Sequence, residues 1–201
     1  MYFENFDLIG KTLFQAGLNS SHSGNISIFD RGQNTVYIKR SGAMLHALKM
    51  TDIVAVDINT LENAEFASSE LPAHIAIYEN TDATAIVHCH PPTAVGVSLA
   101  ENKTSITEFG PVCGWGFSYN KIPLADVEAK YHLKTVPITS FSAYGKDLAS
   151  TLPPYFSKEV NTVVVRGHGS FSIGETLEGC LHYATTLEQA CKIFVTMNSL
   201  R

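Results

Sequence analysis

Three histidines follow apolar runs of this sequence, where the side chains of a buried strand reach the edge of a sheet. His88 and His90 close the run "AIVHCH", and His168 stands between two glycines after "VVVRG". Residues two apart in a strand point to the same face, so His88 and His90 present their rings together while Cys89 points the other way. Because neutral imidazole is a common ligand of transition metals, this spacing predicts a metal site. The alternatives are polar residues at a sheet edge for the pair and a solvent-exposed loop residue for His168.

A glutamate adds a carboxylate to the histidine set. Glu70 lies in "SSELPAH", where the serines indicate the start of the helix that precedes the histidine strand. A helix N-terminus favours the ionised form of an acid, and three histidines with one glutamate suit a divalent transition metal. His74, one helical turn after Glu70, is interpreted as a residue that packs or hydrogen-bonds locally. The histidines without a partner motif are His46, His132 and His182.

Three turns of small residues offer hydroxyl groups and free backbone N–H groups. They are "HSGN" at 22–25, "RSG" at 40–42 and "SS" at 68–69. If the turns meet in space, they form the nest-like arrangement that binds phosphate. If they do not meet, they are ordinary turns, since serine and glycine mark turns generally.

The segments that carry these residues are predicted to be strands and helices of one α/β domain. Apolar runs and alternation predict strands at 24–30, 35–40, 53–58, 83–90, 135–139 and 161–169. Helical spacing and capping signals, with Gly17 as the first C-cap, predict helices at 3–17, 68–80, 91–101, 146–152 and 175–197. The segment 102–135 is predicted to be irregular.

The order of these elements favours a mixed or largely antiparallel sheet with helices on both faces. The first two strands form a hairpin, and strands and helices do not alternate regularly as they do in a doubly wound parallel sheet. No repeat, low-complexity segment or linker divides the chain. Residues 1–201 are therefore predicted to form a single domain.

The composition is that of an ordinary globular protein, with 45% hydrophobic and 16% charged residues. A net charge of -5 and the lack of a run of like charges argue against a nucleic-acid partner. The four cysteines form no CxxC pair and are interpreted as small buried hydrophobic residues. The first residues lack the pattern of a signal peptide, and no apolar stretch approaches the roughly 20 residues that cross a bilayer. We therefore expect a cytoplasmic protein with reduced thiols and no membrane partner.

Through five motifs in order, the chain resembles the class II aldolase/adducin family, in the style of its L-fuculose-1-phosphate aldolases. The motifs are "SGN" (23–25), "RSG" (40–42), "SSE" (68–70), "HCHP" (88–91) and "GHG" (167–169). The resemblance implies a three-layer α/β/α domain around a mostly antiparallel central sheet. It also implies a homotetramer whose active sites lie at the subunit interfaces.

The resemblance also implies the roles of the site residues. His88, His90 and His168 match the family's zinc ligands, and another divalent transition metal would suit them as well. Glu70 matches the acid/base, which can also coordinate the metal. The residues that match the phosphate and substrate pocket are Asn25, Ser41, Gly42, Ser68 and Ser69. Tyr144 stands where the family has an aromatic residue near the substrate.

The implied activity is that of a zinc-dependent lyase that cleaves a small sugar phosphate, of the ketose-1-phosphate kind, by retro-aldol chemistry. In this scheme the metal stabilises an enediolate as a Lewis acid, and Glu70 moves a proton to or from the adjacent carbon. The same ligands serve the family's dehydratases, epimerases and decarboxylases, which remain alternatives. A scaffold role, as in adducin, and a purely structural metal are the non-catalytic alternatives, and the retained histidines and Glu70 argue against both.

The chain departs from the family pattern around the substrate. His22 replaces a small hydroxyl residue of the fuculose enzyme, and Lys39 and Arg40 stand where a Thr-Pro pair is common. The segment 102–135 does not match that enzyme's loop and carries Trp115, Tyr119 and Tyr131. These differences concern substrate specificity more than the metal site.

Overall fold

The structure is a computed structural model that describes residues 2–100, 106–107, 110–111, 120–139 and 146–200. Its helices are α1 (Tyr2–Gln15), α2 (Leu71–Asn80), α3 (Pro92–Leu99), α4 (Val127–His132), α5 (Lys146–Thr151) and α6 (Leu177–Ser199). Its strands are β1 (Asn25–Asp30), β2 (Thr35–Lys39), β3 (Ile53–Asp57), β4 (Ala85–Cys89), β5 (Ile106–Thr107), β6 (Gly110–Pro111), β7 (Ile138–Thr139), β8 (Thr162–Val165) and β9 (Gly169–Gly174). Short 3₁₀ helices lie at Leu45–Ala47, Met50–Asp52, Ala64–Phe66 and Pro153–Tyr155.

Seven of the described strands form one sheet, in the order β3-β2-β1-β4-β9-β8-β7. Every neighbouring pair in this sheet is antiparallel except β7–β8, which is parallel. The parallel pair follows from its connection, since the chain crosses between β7 and β8 through α5. The predicted α/β class and the β1–β2 hairpin are confirmed. The expectation of a mostly antiparallel sheet needs one correction, because the parallel pair makes the sheet mixed.

Helices cover both faces of this sheet because apolar side chains point to both sides of its central strands. In β4, Ile86 belongs to the cluster that contains residues of α2 and α5. Ala85 and Val87 belong instead to the cluster that contains residues of α1 and α6. A third cluster joins α3, α4 and α6 around Val164 of β8. Continuous apolar strands of this kind are typical of a sheet that is buried on both faces.

The predicted strand at 161–169 is wrong in its bounds, because the chain turns within it and returns as β9. β9 pairs with both β4 and β8, yet its alternate residues are serines. The hydroxyl group of Ser170 lies 3.4 Å from Cys89 Sγ, and that of Ser172 lies 3.1 Å from Thr162 Oγ1. Buried hydroxyl groups are tolerated when they pair with one another. The polar spacing of β9 therefore conceals a central strand from sequence patterning.

The segment 102–135, predicted to be irregular, contains α4. The carboxylate of Asp126 accepts the backbone N–H of Ala129 at 2.9 Å, which is a standard start signal for a helix. Tyr131 on this helix is exposed. The predictions for Trp115, Tyr119 and Tyr144 fall outside the described residues.

Two further predictions concern burial. Cys89, Cys180 and Cys191 are buried free thiols, as predicted, and burial raises the pKa of Cys89 to about 12. Cys113 lies outside the described residues. Within the ranges that the structure describes, no helix combines the length and the apolar character that a bilayer crossing requires.

Candidate active site

The pairing of β4 and β9 determines where His88 points. Their register sets Cys89 opposite Ser170, with Cys89 in the cluster under α1 and α6. His88 points to the opposite face, where its ring stacks on Phe171 at a centroid distance of 4.2 Å. Its Nδ1 lies 3.0 Å from the carbonyl oxygen of Ser170. Because a carbonyl group only accepts, Nδ1 carries the proton and Nε2 keeps a free electron pair, the form in which imidazole binds a metal.

His90 lies just beyond β4 and is held by the end of α1. Gly17 ends that helix with a φ of 71°, as predicted, and two backbone bonds there form a Schellman motif. The resulting turn presents Leu18 O and Asn19 Oδ1 to the N–H of His90, at 2.8 and 3.1 Å. The ring of His90 then meets that of His88, with their Nε2 atoms 3.0 Å apart.

His168 stands in the turn between β8 and β9. Gly167 adopts a φ of 69°, a left-handed conformation that glycine takes without strain. The N–H of His168 donates to Val165 O at 3.0 Å and closes the turn. One nitrogen from each of His88, His90 and His168 lies within 4.8 Å of the others. The structure thus brings together three rings that are far apart in the sequence.

Glu70 is the N-cap residue of α2, and its side chain is buried. One carboxylate oxygen lies 3.2 Å from His88 Nε2, and the other lies 3.3 Å from His168 Nε2. Asn25 stands opposite His88 in the pairing of β1 and β4, and its Nδ2 donates to Glu70 Oε2 at 2.8 Å. The carboxylate is therefore fixed beside the histidines by an amide from a neighbouring strand.

Burial and mutual repulsion keep the histidines neutral. Burial lowers the pKa of His88 well below its ordinary value, and positive charge on His90 or His168 would lower it further. The pKa of His90 falls to about 4, first because of burial and then because of His168. At neutral pH these rings present electron pairs, and the carboxylate of Glu70 faces two of them. Electron-pair donors that converge in this way repel one another unless a cation lies among them.

The donor set fits a divalent transition metal. Zinc bonds to histidine nitrogen at about 2.0–2.1 Å, so two such ligands in tetrahedral geometry lie about 3.3 Å apart. The separation of 3.0 Å between the Nε2 atoms of His88 and His90 is close to that value. The Ser170 carbonyl behind His88 is the kind of outer hydrogen bond that orients a metal-binding imidazole. Three neutral imidazoles with an adjacent carboxylate can hold zinc or a similar ion.

Two of the predicted anion-binding turns, 40–42 and 68–69, lie side by side. A backbone hydrogen bond of 3.0 Å from Ser41 N–H to Phe66 O joins the two segments. Glu70 follows the second turn directly, so both turns adjoin the histidine cluster. The predicted pocket residues gathered here are Ser41, Gly42, Ser68 and Ser69.

The third turn, 22–25, contributes to the site through Asn25. Its Nδ2 is used by Glu70, while its Oδ1 is buried and has no hydrogen-bond partner among the described residues. That oxygen is free to accept a hydrogen bond from a ligand. His22 is exposed, and its Nδ1 lies 2.9 Å from Ser21 Oγ.

Lys39 is a charged neighbour that the sequence shows only as a departure from the family pattern. It is 3% exposed, and its Nζ donates to Ala43 O at 2.7 Å. Burial lowers the pKa of Lys39, and the carboxylates of Glu70 and Asp52 oppose that change. Its ammonium group is thus close enough to Glu70 to interact with it through charge.

His74 packs in the core, as predicted, but its hydrogen bond reaches another element. Its Nδ1 lies 2.6 Å from Ser27 Oγ, and the same oxygen lies 2.7 Å from Tyr78 Oη. Tyr78 Oη donates to Ser27 O at 3.0 Å. These contacts are satisfied together when His74 Nδ1–H donates to Ser27 Oγ and the serine hydroxyl donates to Tyr78 Oη. No local signal in the sequence indicates this network, because Ser27 is on β1 and the other two residues are on α2.

A comparison with protein families agrees with this fold. The model of the family "Class II Aldolase and Adducin N-terminal domain" matches residues 7–195. The chain therefore belongs to the class II aldolase and adducin family, as its motifs predict.

Individual relatives carry the names of different reactions. The chain is 27% identical over 186 residues to L-ribulose-5-phosphate 4-epimerase UlaF of Salmonella paratyphi C (strain RKS4594), an alignment that covers 88% of the chain and 76% of that protein. Its structure is similar to that of L-fuculose-1-phosphate aldolase from Thermus thermophilus, with a TM-score of 0.82, 27% identity, and coverage of 98% of this chain and 94% of that one. The sugar-phosphate aldolase from Thermotoga maritima has the same fold, with a TM-score of 0.72, 17% identity, and coverage of 96% and 93%.

Proposed function

We propose that this chain is a metal-dependent lyase that cleaves a small sugar phosphate, of the ketose-1-phosphate kind, by retro-aldol chemistry. The observation that carries the proposal is the position of Glu70 against two of the clustered histidines. Its carboxylate oxygens lie 3.2 Å from His88 Nε2 and 3.3 Å from His168 Nε2. A structural metal site needs no acid/base group at its edge, whereas proton transfer beside a breaking carbon–carbon bond does.

His88, His90 and His168 would hold the metal ion, for which we propose zinc. A bound ion of this kind supplies Lewis-acid chemistry, since it polarises carbonyl and hydroxyl oxygens and stabilises negative charge that develops on them. The three imidazoles are neutral ligands, so the positive charge of the site is left for Glu70 and an anionic substrate to balance.

Glu70 would move the proton. When the carbon–carbon bond breaks, its electron pair stays with the fragment that carries the carbonyl group, and that carbon then gains a proton. The other fragment loses the proton of its hydroxyl group and leaves as an aldehyde, so no co-reactant is needed. Because Asn25 donates to Oε2 of Glu70 at 2.8 Å, Oε1 is the oxygen left to carry the proton.

The phosphate group would bind at the turns 40–42 and 68–69. Both carry serine hydroxyl groups, and at Gly42 an added Cβ would have no atom within 4 Å. Phosphate binds such open small-residue turns through backbone N–H and hydroxyl groups. Lys39 adds a positive charge nearby, and Tyr144 would contribute an aromatic ring.

A 4-epimerase is the second candidate function, because the relative at 27% sequence identity carries that name. Cleavage of the same bond, followed by re-addition of the fragment to the opposite face of the aldehyde, would invert one carbon with the same ligands. Dehydratase and decarboxylase reactions remain further alternatives because they act beside the same carbonyl group.

The masses of the products distinguish these reactions. Zinc-loaded protein is incubated with L-fuculose 1-phosphate and L-ribulose 5-phosphate, and products are identified by mass spectrometry. A lyase releases a three-carbon ketone phosphate and an aldehyde, an epimerase yields an isomer of unchanged mass, a dehydratase removes water, and a decarboxylase releases carbon dioxide. Turnover without any three-carbon fragment would overturn the lyase assignment in favour of the reaction whose product appears.

The resemblance to the family also supports two proposals on the setting of the site. We propose that the chain forms a homotetramer with active sites at subunit interfaces, and that it works in the cytoplasm. Light scattering of the purified protein tests the first proposal, because a mass of one subunit at working concentration would contradict it.

A further inference from the structure

A buried glutamate on α6 binds the start of α3. Glu188 is 4% exposed, and its carboxylate accepts the backbone N–H of Thr93 at 3.0 Å and that of Ala94 at 3.2 Å. The hydroxyl group of Thr93 also donates to it, at 2.7 Å. A carboxylate with these partners satisfies the open N–H groups of a helix N-terminus and complements the helix dipole.

α3 depends on this carboxylate for its position. It has eight residues and begins with Pro92, and helices of this length are marginal without tertiary contacts. It follows directly on His90 and Pro91, so the place of its first turn fixes where the chain leaves β4. The side chain of Glu188 thus reaches His90 through the backbone of α3.

The other end of α3 supports the turn that carries His168. Ser98 is fully buried, and its Oγ accepts the backbone N–H of Gly167 at 3.0 Å. Its carbonyl oxygen accepts Arg166 Nη1 at 2.5 Å. One short helix therefore connects the segment of His90 with the turn of His168.

We propose that Glu188 is a positioning residue of the metal site: by holding α3, it fixes His90 relative to His168. The proposal rests on the proposed function in one respect, that the three histidines bind a metal ion. Glu188 makes no hydrogen bond to the histidine rings in the described part of the chain, so it acts through α3. Outer contacts that orient metal ligands change metal affinity by about 10–100-fold when removed.

The test is a titration of purified, metal-free protein with Co²⁺, whose visible absorption reports the geometry of its ligands. We expect Glu188→Ala to weaken Co²⁺ binding by about 10–100-fold and to change the absorption spectrum. Glu188→Gln should have a smaller effect, because it keeps one acceptor oxygen but turns an NH₂ group toward the donors of Thr93 and Ala94. If Glu188→Ala does not fold, Glu188→Gln and Thr93→Val carry the test.

Two matched controls separate positioning from loss of stability. Lys192→Met removes the half-exposed partner of Glu188, whose Nζ lies 3.5 Å from Oε1, and leaves the bonds to α3 intact. Thr162→Val removes the buried hydroxyl pair with Ser172 and lowers stability without a contact to α3. Both variants should bind Co²⁺ with the affinity and the spectrum of the unchanged protein.

The outcomes are distinguishable. If the unchanged protein binds no Co²⁺, the metal part of the proposed function fails. If it binds Co²⁺ and the Glu188 variants lose thermal stability but keep its affinity and spectrum, Glu188 is only structural and the proposal is overturned.

Discussion

Gly169 at the start of β9 packs directly on Cys89: a Cβ atom at position 169 would lie 2.4 Å from the Cys89 carbonyl oxygen. The same atom would lie 2.9 Å from Cδ2 of His90 and 3.1 Å from Cε1 of His88. The first of these contacts is with backbone, which cannot rotate away as a side chain can. The glycine therefore allows β9 to come close enough to the end of β4 for His168 to join the other two rings.

We expect Gly169→Ala to weaken both the fold and metal binding. The added methyl group must push β9 away from β4, and overpacking of this kind lowers the free energy of unfolding by about 1–3 kcal/mol. The same shift moves His168 away from His88, so Co²⁺ binding should weaken as well. Urea denaturation measures the first effect, and Co²⁺ titration measures the second.

Gly96→Ala is the matched control for that substitution. Gly96 lies on the exposed side of α3, and an added Cβ there has no atom within 4 Å. Alanine in a helix interior is favoured over glycine, so this variant should gain about 0.5–1 kcal/mol of unfolding free energy and bind Co²⁺ normally. If Gly169→Ala matched Gly96→Ala in both measurements, close packing at β9 would not be what sets the site.

His168→Ala should remove one of three nitrogen ligands. We expect zinc affinity to fall by more than the roughly 10–100-fold that changes around metal ligands cause, as measured by competition with a coloured chelator. His46→Ala is the control, since the ring of His46 stacks on Phe14 at 4.0 Å and takes no part in the histidine cluster. Unchanged zinc affinity in His168→Ala would show that His168 is not a ligand.

Glu70→Gln should separate proton transfer from metal binding. The amide has the shape of the carboxylate but cannot exchange the proton, so turnover should fall by about 10²–10⁴-fold. The three histidines remain, so most of the zinc should stay bound and be measurable by elemental analysis. Glu65→Gln, at an exposed position just before, should leave both quantities unchanged. Full activity in Glu70→Gln would exclude Glu70 as the acid/base.

Local patterning predicts the histidine pair better than it predicts the rest of the site. Strand periodicity alone places His88 and His90 on one face, and their Nε2 atoms meet at 3.0 Å. The approach of His168 depends on the register of β4 against β9, which no local pattern encodes. The amide of Asn25 on Glu70 depends in the same way on the pairing of β1 with β4.

The parts of the fold that sequence analysis does not predict are polar residues with distant partners. β9 is concealed because its serines are buried and paired. Glu188 has the spacing of an ordinary glutamate on a long helix, yet it binds Thr93, which is 95 positions earlier in the chain. Hydrophobic periodicity locates elements with apolar faces, and it carries no information about buried polar groups that are satisfied by tertiary contacts.

The last prediction concerns the pH dependence of stability. His74 is fully buried, and burial lowers its pKa from 6.5 to about 3. As the pH falls below about 6.5, the unfolded chain therefore takes up a proton at this residue that the folded chain does not. The stabilisation from a neutral His74 is fully present above pH 6.5, and it is lost as the pH falls toward 3, at up to about 1.4 kcal/mol per pH unit.

His74→Gln removes this proton uptake and serves to measure it. In metal-free protein, we expect the difference in unfolding free energy between the unchanged chain and His74→Gln to shrink as the pH is lowered from about 7.5 to about 4.5. The contributions of His88 and His90 act in both proteins and cancel in the difference. Urea denaturation at several pH values gives the two curves. A difference that stays constant over this range would mean that His74 titrates alike in both states and is not held neutral by burial.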